Sequence, residues 1–340
     1  MKHSTFDSNK YDRSSKKFKY TKKKPQINKL ELLHNYEKQL NNSTQLISLQ
    51  RPISKIKYLR FNPTLIEEDK LYELLTSTYR MKLEKMYIPN CYRVLKSHFS
   101  ISGSFPQLSG LCYEQDITSQ IPLFCIDFSK YQHKTITIVD MCSSPGSKLT
   151  QLAYFLNTYS ISAKIIAVEL KQERIKKLIN NIQKMNLKHI EIECVDALKL
   201  KVKAGSVDIV LLDAPCSGNF ILERNWFEKR NSKGVLRNAQ IQKQLLEKAS
   251  TLCKRGGDVL YSTCSMEIEE NEKNVIWAQK HLPLISKPIL STIEFTFPYE
   301  VRSTHISKNI ENKKLIEHSI RLHPPYSNTQ GFFITFFEKK

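Results

Sequence analysis

From residue 135 onward, apolar and polar positions alternate in blocks that switch between two periods. Short β-branched, apolar runs predict strands at 135–140 (TITIVD), 163–170 (AKIIAVEL), 189–196 (HIEIECVD), 207–213 (VDIVLLD) and 258–264 (DVLYSTC). Between them, 146–159, 171–186, 236–254 and 267–281 carry apolar residues at helical spacing, and SIRLHPP and GFFITFFEK read as closing strands. Alternating β and α units predict an α/β fold, a parallel sheet with helices on both faces. Strands buried on both faces become apolar runs, as IVLL (209–212) does.

Upstream the pattern changes. Residues 28–50 show apolar positions at helical spacing. From 56 to 128 the character is mixed: YLRFNPT reads as a strand and turn, LIEEDKLYELLTSTYRMKLEKM as helical, and FSISGSF as strand-like. These predict a small α+β module, joined by residues 110–122 to the main domain. The chain thus divides into a tail (1–27), an N-terminal helical and α+β module (28–128) and an α/β domain (129–340).

Charge sharpens this division. Residues 1–24 hold nine lysines and arginines against two aspartates, with few large aliphatics, so this stretch is expected to be a disordered basic tail. The whole chain carries a net charge of +20. Such an excess favours polyanions, and without a strongly amphipathic basic helix the expected partner is nucleic acid rather than a membrane. A general lysine-rich composition is the alternative source of the charge. The N-terminal stretch has no apolar segment of the secretory kind, and no run is long enough to cross a membrane. A cytoplasmic monomer is expected, with the nucleus or nucleolus as the alternative location in a eukaryote.

The eight cysteines include no CxxC pair, so no metal site is expected. Cys91, Cys125, Cys194 and Cys253 read as inert buried thiols. Cys216 and Cys264 differ, because each follows a predicted strand: Cys216 in Asp213-Ala-Pro-Cys-Ser-Gly218, Cys264 in Tyr261-Ser-Thr-Cys-Ser265. Ligands of open parallel sheets bind at strand carboxyl ends, so two thiols there suggest a nucleophile and a helper.

The first strand–helix turn, Asp140-Met-Cys-Ser-Ser-Pro-Gly-Ser-Lys148, fits neither a dinucleotide fingerprint nor a P-loop. Its residues Cys142, Ser143, Ser144, Pro145, Gly146, Ser147 and Lys148 form a tight turn whose amides suit the carboxylate of an amino-acid-like ligand. Glu169, Asp196 and Asp213 end further strands, where Glu169 suits a ribose diol and Asp196 an adenine amine. Turn and staggered acids together suggest S-adenosylmethionine, although strand-end acids are also ordinary helix caps. After the Cys216 turn, Arg224–Arg230 (RNWFEKR) interleaves bases and aromatics, which suits RNA contact, while Trp226 and Phe227 equally suit core anchors.

With these motifs in hand, the chain resembles the Sun-type RNA cytosine-5 methyltransferases over about residues 55–338. Besides the three turns, Glu269-Glu-Asn-Glu272 matches, and Arg60-Phe-Asn62, Tyr113-Glu-Gln-Asp116 with Ser119, and Arg321-Leu-His-Pro-Pro325 match more weakly. Gly218-Asn219 and Ser265-Met-Glu267 look most like the archaeal-type tRNA branch. The chain departs from the family at Ser143-Ser144 (usually Ala-Ala), at Leu149 (often Thr) and at Asn219-Phe220 (often Ser-Gly).

The resemblance implies a Rossmann-like class I methyltransferase sheet, S-adenosylmethionine as donor, and RNA as substrate, tRNA first and rRNA second. It implies Cys264 as the attacking thiol and Cys216 as the group that resolves the covalent adduct. The competing assignment makes Cys216 the attacker, as in DNA cytosine-5 methyltransferases. Lys148 is the candidate to activate the thiol, and Asp213 the candidate to hydrogen-bond the cytosine edge.

Overall fold

A computed structural model describes residues 56–218, 223, 226–288, 300–302, 312–322 and 330–340. The predicted tail and the 28–50 helix lie outside these residues. The larger of two sheets holds strands β5 (Thr135–Asp140), β6 (Ser162–Val168), β7 (Ile190–Glu193), β8 (Val207–Asp213) and β9 (Cys253–Thr263). Strands β10 (Leu284–Ser286), β11 (Glu300–Arg302), β12 (Ile320–Leu322) and β13 (Phe332–Lys339) complete it. Its order is β11-β12-β13-β9-β8-β5-β6-β7, with β10 also on β13. From β9 to β7 every pairing is parallel, whereas β13 runs antiparallel to β9.

The apolar runs serve both faces. Ile138, Ile165, Ile209, Leu211 and Leu260 point into one core, with residues of α3 (Ile117–Phe124), α4 (Ser147–Thr158) and α5 (Gln172–Lys184). Val139, Ile166, Val210, Leu212 and Val259 point into the other, against α7 (Ser232–Leu252) and α8 (Glu272–His281). The period of two is that of a strand, and each face is covered by helices. Between β8 and α7 lies the short helix α6 (Trp226–Lys229).

The second sheet, ordered β2-β3-β1-β4, comprises β1 (Lys57–Phe61), β2 (Lys82–Lys85), β3 (Cys91–Lys96) and β4 (Cys112–Glu114). Here two expectations fail. The stretch predicted as one helix gives α1 (Glu68–Glu73) and a π turn (Leu74–Thr78), and then β2 pairs with β3. Strand pairing overrides the helix propensity of Lys, Leu and Glu in this largely exposed edge strand. FSISGSF is not a strand but a 3₁₀ turn (Ile101–Gly103) leading into α2 (Phe105–Leu108), with Pro106 in its first turn.

In the larger sheet the departures are at element ends. Helix α7 begins four residues early because the Asn231 side chain caps it, accepting from Gly234 N at 2.8 Å. Strand β7 ends at Glu193, so Cys194, expected buried, is exposed. Cys91, Cys125 and Cys253 are buried as expected.

Modules meet through specific contacts. A Cβ on Gly110 would fall 1.9 Å from the Lys184 carbonyl oxygen, so only glycine permits this approach of β4's leading turn to the end of α5. Arg60 of β1 is buried and reaches α4, donating from Nη2 to Thr150 Oγ1 at 2.9 Å and to the Ser147 carbonyl at 3.3 Å. Its Nε donates to Gln115 Oε1 at 2.8 Å, and burial pulls the guanidinium down to about 10.

Candidate active site

Strands β5, β8 and β9 are neighbours, so their carboxyl ends deliver Asp140, Asp213 and Cys264 to one sheet edge. Register places Asp213 opposite Ser262, and the Ser262 hydroxyl donates to Asp213 Oδ1 at 2.8 Å. The other carboxylate oxygen accepts from Lys148 Nζ at 2.6 Å. Lys148 sits in the first turn of α4 yet is buried, its ammonium also 4.9 Å from the Phe332 ring centre. It is therefore not the solvent-facing lysine that its position on a helix start permits.

Cys216 and Cys264 come together with sulfurs 3.4 Å apart. With Cys216 as donor, the shared proton holds the Cys264 thiol below the ordinary thiol range, with Lys148 acting in the same sense against burial, Asp213 and Glu270. The same hydrogen bond, together with burial, pushes Cys216 well above it. One thiol is thus prepared to lose its proton and the other to keep it.

The two turns are also clamped to each other. Glu270 is fully buried and accepts from Ser217 N (2.9 Å) and from the Ser217 hydroxyl (2.7 Å). That hydroxyl lies 3.2 Å from the hydroxyl of Ser265. Burial raises the Glu270 carboxyl, opposed by its hydrogen bonds to Ser265, Ser217 and Asn238. Asn271 bridges Thr263 Oγ1 (2.6 Å) and the Ser265 carbonyl (2.9 Å). Behind them Arg321 grips Glu272 with two bonds, 3.0 and 2.6 Å, and donates to the Met266 carbonyl at 2.9 Å. Sequence reading matched Ser262, Glu270, Glu272 and Arg321 to motifs but gave them no role. The signal lay in strand register, which pairs residues distant in sequence.

The turn from Cys142 to Lys148 forms beside this pair. Gly146 has φ +95°, and a Cβ there would lie 2.9 Å from Leu178 Cδ1. Ser143 N donates to the Val168 carbonyl (2.9 Å) and Ser144 Oγ to the Arg174 carbonyl (3.1 Å), so both serines serve the turn itself. Asn181 Nδ2 holds the Pro145 carbonyl at 2.8 Å.

Glu169 is buried at the end of β6, bonded to Lys171 N (2.9 Å) and paired with Arg174 (3.3 Å). Asp196 accepts from Leu198 N at 3.0 Å, the capping role weighed for it above. Burial and then Asp213 push the Asp140 carboxyl up to about 7. Burial, then Asp140, Asp213 and Glu169, also drive the Cys142 thiol upward. The strand ends therefore share a negative field, which suits a ligand with a cationic centre such as a sulfonium donor.

After the Cys216 turn, Trp226 is a core anchor: it is 1% exposed and its Nε1 donates to the Ser217 carbonyl at 2.9 Å. The Phe227 side chain and Arg224 lie outside the described residues. Among the described residues no group of His, Cys, Asp or Glu is arranged to hold a metal ion, and no helix is long and apolar enough to cross a membrane.

Comparison with known proteins agrees with this architecture. The chain is 29% identical over 246 residues to the human 28S rRNA (cytosine(4447)-C(5))-methyltransferase, covering 70% of this chain and 28% of that protein. It is 31% identical over 203 residues to the Pyrococcus horikoshii tRNA (cytosine(72)-C(5))-methyltransferase, covering 59% and 46%. The chain thus spans less than half the length of these curated relatives. Among solved structures, a methyltransferase homologue from Pyrococcus horikoshii superposes with a TM-score of 0.74 at 23% identity, covering 92% of this chain and 98% of that one, which shows the shared fold. The sequence profile described as 16S rRNA methyltransferase RsmB/F matches residues 130–338, and the chain belongs to that family.

Proposed function

We propose that this chain transfers a methyl group from S-adenosylmethionine to carbon 5 of cytosine in RNA, with Cys264 as the nucleophile. The observation that carries the reading is the thiol pair, 3.4 Å apart at the ends of adjacent strands and set to opposite proton affinities. Carbon 5 of cytosine is a weak nucleophile. A bond from the Cys264 sulfur to carbon 6 makes carbon 5 enamine-like, and the bound donor supplies the methyl as an electrophile. Loss of the carbon-5 proton then returns the electron pair to the ring and breaks the carbon–sulfur bond.

In this reading Asp213 hydrogen-bonds the cytosine edge, held in place by Ser262 and Lys148. Cys216 sits beside the adduct and resolves it, as the base or by assisting one. The turn from Cys142 to Ser147 would hold the donor's amino-acid end, Glu169 its ribose and Asp196 its adenine. The acidic field at those strand ends favours the donor's positive charge. The basic tail and the module at 28–128, described from residue 56, are the parts that would choose the RNA.

For the RNA itself we favour tRNA. Of the two relatives above, the tRNA enzyme has the higher identity over its match. rRNA is the second reading, because the family profile and the human relative carry rRNA names. The test is methyl transfer from labelled S-adenosylmethionine to total small RNA and to rRNA, with wild type and Cys264→Ala. Label in tRNA-sized RNA that vanishes in the variant supports both substrate and nucleophile. Label only in rRNA selects the second reading. No label in either, with donor binding intact, would turn the assignment toward a non-catalytic RNA-binding assembly factor.

A further inference from the structure

We propose that the cleft beside Cys216 binds the phosphodiester backbone of single-stranded RNA next to the base that reaches the thiols. This rests on the cytosine methyltransferase reading above. The cleft has a volume of about 530 Å³, and Cys216 forms part of its wall together with Lys229, Arg230, Asn231, Lys233 and Arg237. Four cations therefore line a hollow that Cys216 also lines.

Among the described residues their charge is poorly compensated. Glu223 pairs with Lys229 at 2.6 Å and with Arg230 at 2.9 Å, one carboxylate for two cations. Lys233 and Arg237 are exposed, and neither has an ion-pair partner among the described residues. They stand four residues apart on α7, so they share one helix face and one direction. A charge this concentrated in a concavity attracts a polyanion more strongly than the same charge spread over a surface.

The cleft is also tied mechanically to the thiols. Arg230 Nε donates to the Ser217 carbonyl at 2.9 Å, and Trp226 holds the same oxygen from the core side. A cytosine can reach the sulfurs only when swung out of any stack, which forces its flanking sugar–phosphates close to the Cys216 turn. Those phosphates are the groups the cleft cations meet. Trp226 is committed to the core, and the described residues of this wall offer charge, so their contribution is tolerant of sequence and sensitive to salt.

The test is the affinity of the full chain for a fluorescent single-stranded RNA of mixed sequence, measured by anisotropy over a salt series. Two double variants remove the same charge: Lys233→Gln/Arg237→Gln in the cleft, and Lys176→Gln/Lys177→Gln on the exposed side of α5. The expected result is that the cleft variant flattens the slope of log K against log salt by about 1.4, two contacts at about 0.7 each, and weakens binding roughly tenfold. The α5 variant should change neither by more than a small fraction of this. Equal losses from both would show a diffuse field with no site, and an unchanged slope in the cleft variant would show that no phosphate lies there. Either result overturns the proposal. Thermal melting checks that both variants fold. Since binding is read without methyl transfer, a wild type that binds RNA through the cleft but methylates none would sink the enzymatic reading and leave this site standing.

Discussion

The two thiol-bearing turns look alike in sequence and differ in how they are built. Each follows a strand buried on both faces, and each has a serine after its cysteine. Cys264 comes one residue after β9 ends and packs against the apolar core. Cys216 lies in irregular chain against the cationic cleft, and side chains hold its turn by the backbone. Gln242 binds the Pro215 carbonyl at 2.9 Å, Glu270 binds Ser217 N, and Trp226 and Arg230 share the Ser217 carbonyl. The difference teaches that a cysteine's chemistry here follows from which sulfur holds the shared proton, and that is set by surroundings.

Removing each sulfur in turn sharpens this contrast most. Cys264→Ala should lower methyl transfer by on the order of 10⁴-fold or more, since on the proposed mechanism its sulfur is the one that adds to carbon 6. Cys216→Ala should leave attack possible and slow resolution, so a covalent protein–RNA adduct accumulates as a retarded band on a denaturing gel. Loss of both transfer and adduct in both variants would break the distinction. An adduct trapped by Cys264→Ala instead would exchange the two roles.

Next in size are the groups under Cys264. Lys148→Met and Asp213→Asn should each lower single-turnover methylation by about 10²–10⁴-fold, the range of positioned proton-transfer groups. Their effects on folding should differ. The Lys148 side chain is 6% exposed and that of Asp213 is 35%, so Asp213→Asn strands a buried ammonium while Lys148→Met leaves a carboxylate near water. Thermal melting should therefore penalise the asparagine variant more. Glu272→Ala tests the Cys264 side alone: it leaves Arg321 unpaired with 1% of its side chain exposed. That should cost about 3–5 kcal/mol of stability in denaturant unfolding.

How much of this could be read in the chain follows the same division. The strands at 135–140 and 207–213 match β5 and β8 to the residue, because burial on both faces writes a run dominated by β-branched and aliphatic residues. The edge strand β2 shows one partly buried residue among four, so its KLEK gave the hydrophobic pattern nothing to display. At the site, residues with reactive or charged groups of their own were legible as candidates: Cys216, Cys264, Asp213 and Lys148, which the fold brings to one sheet edge. The ones that act through a partner were not. Ser262 matters because β9 pairs with β8 in one register, and Glu270 because its carboxylate crosses to Ser217, 53 positions away. Periodicity also could not show which way Lys148 points, since a first-turn lysine fits solvent and core equally.

The smallest effect probes the shared proton directly. On the proposed mechanism the attacking species is the Cys264 thiolate, so adduct formation should rise with pH through the Cys264 titration and level off above it. The hydrogen bond from Cys216 is the largest influence holding that titration down, and burial is the largest opposing it. Cys216→Ala deletes the donor and leaves the burial, so the acidic limb of single-turnover adduct formation should move to higher pH. Cys216→Ser keeps a hydroxyl donor and should fall between the two. Lys148→Met should move the limb in the same direction as Cys216→Ala, by less, because its charge ranks below the hydrogen bond among the influences on Cys264. A limb that stays fixed when Cys216 is replaced would mean that the thiols titrate independently, and their opposite proton affinities would then need another cause.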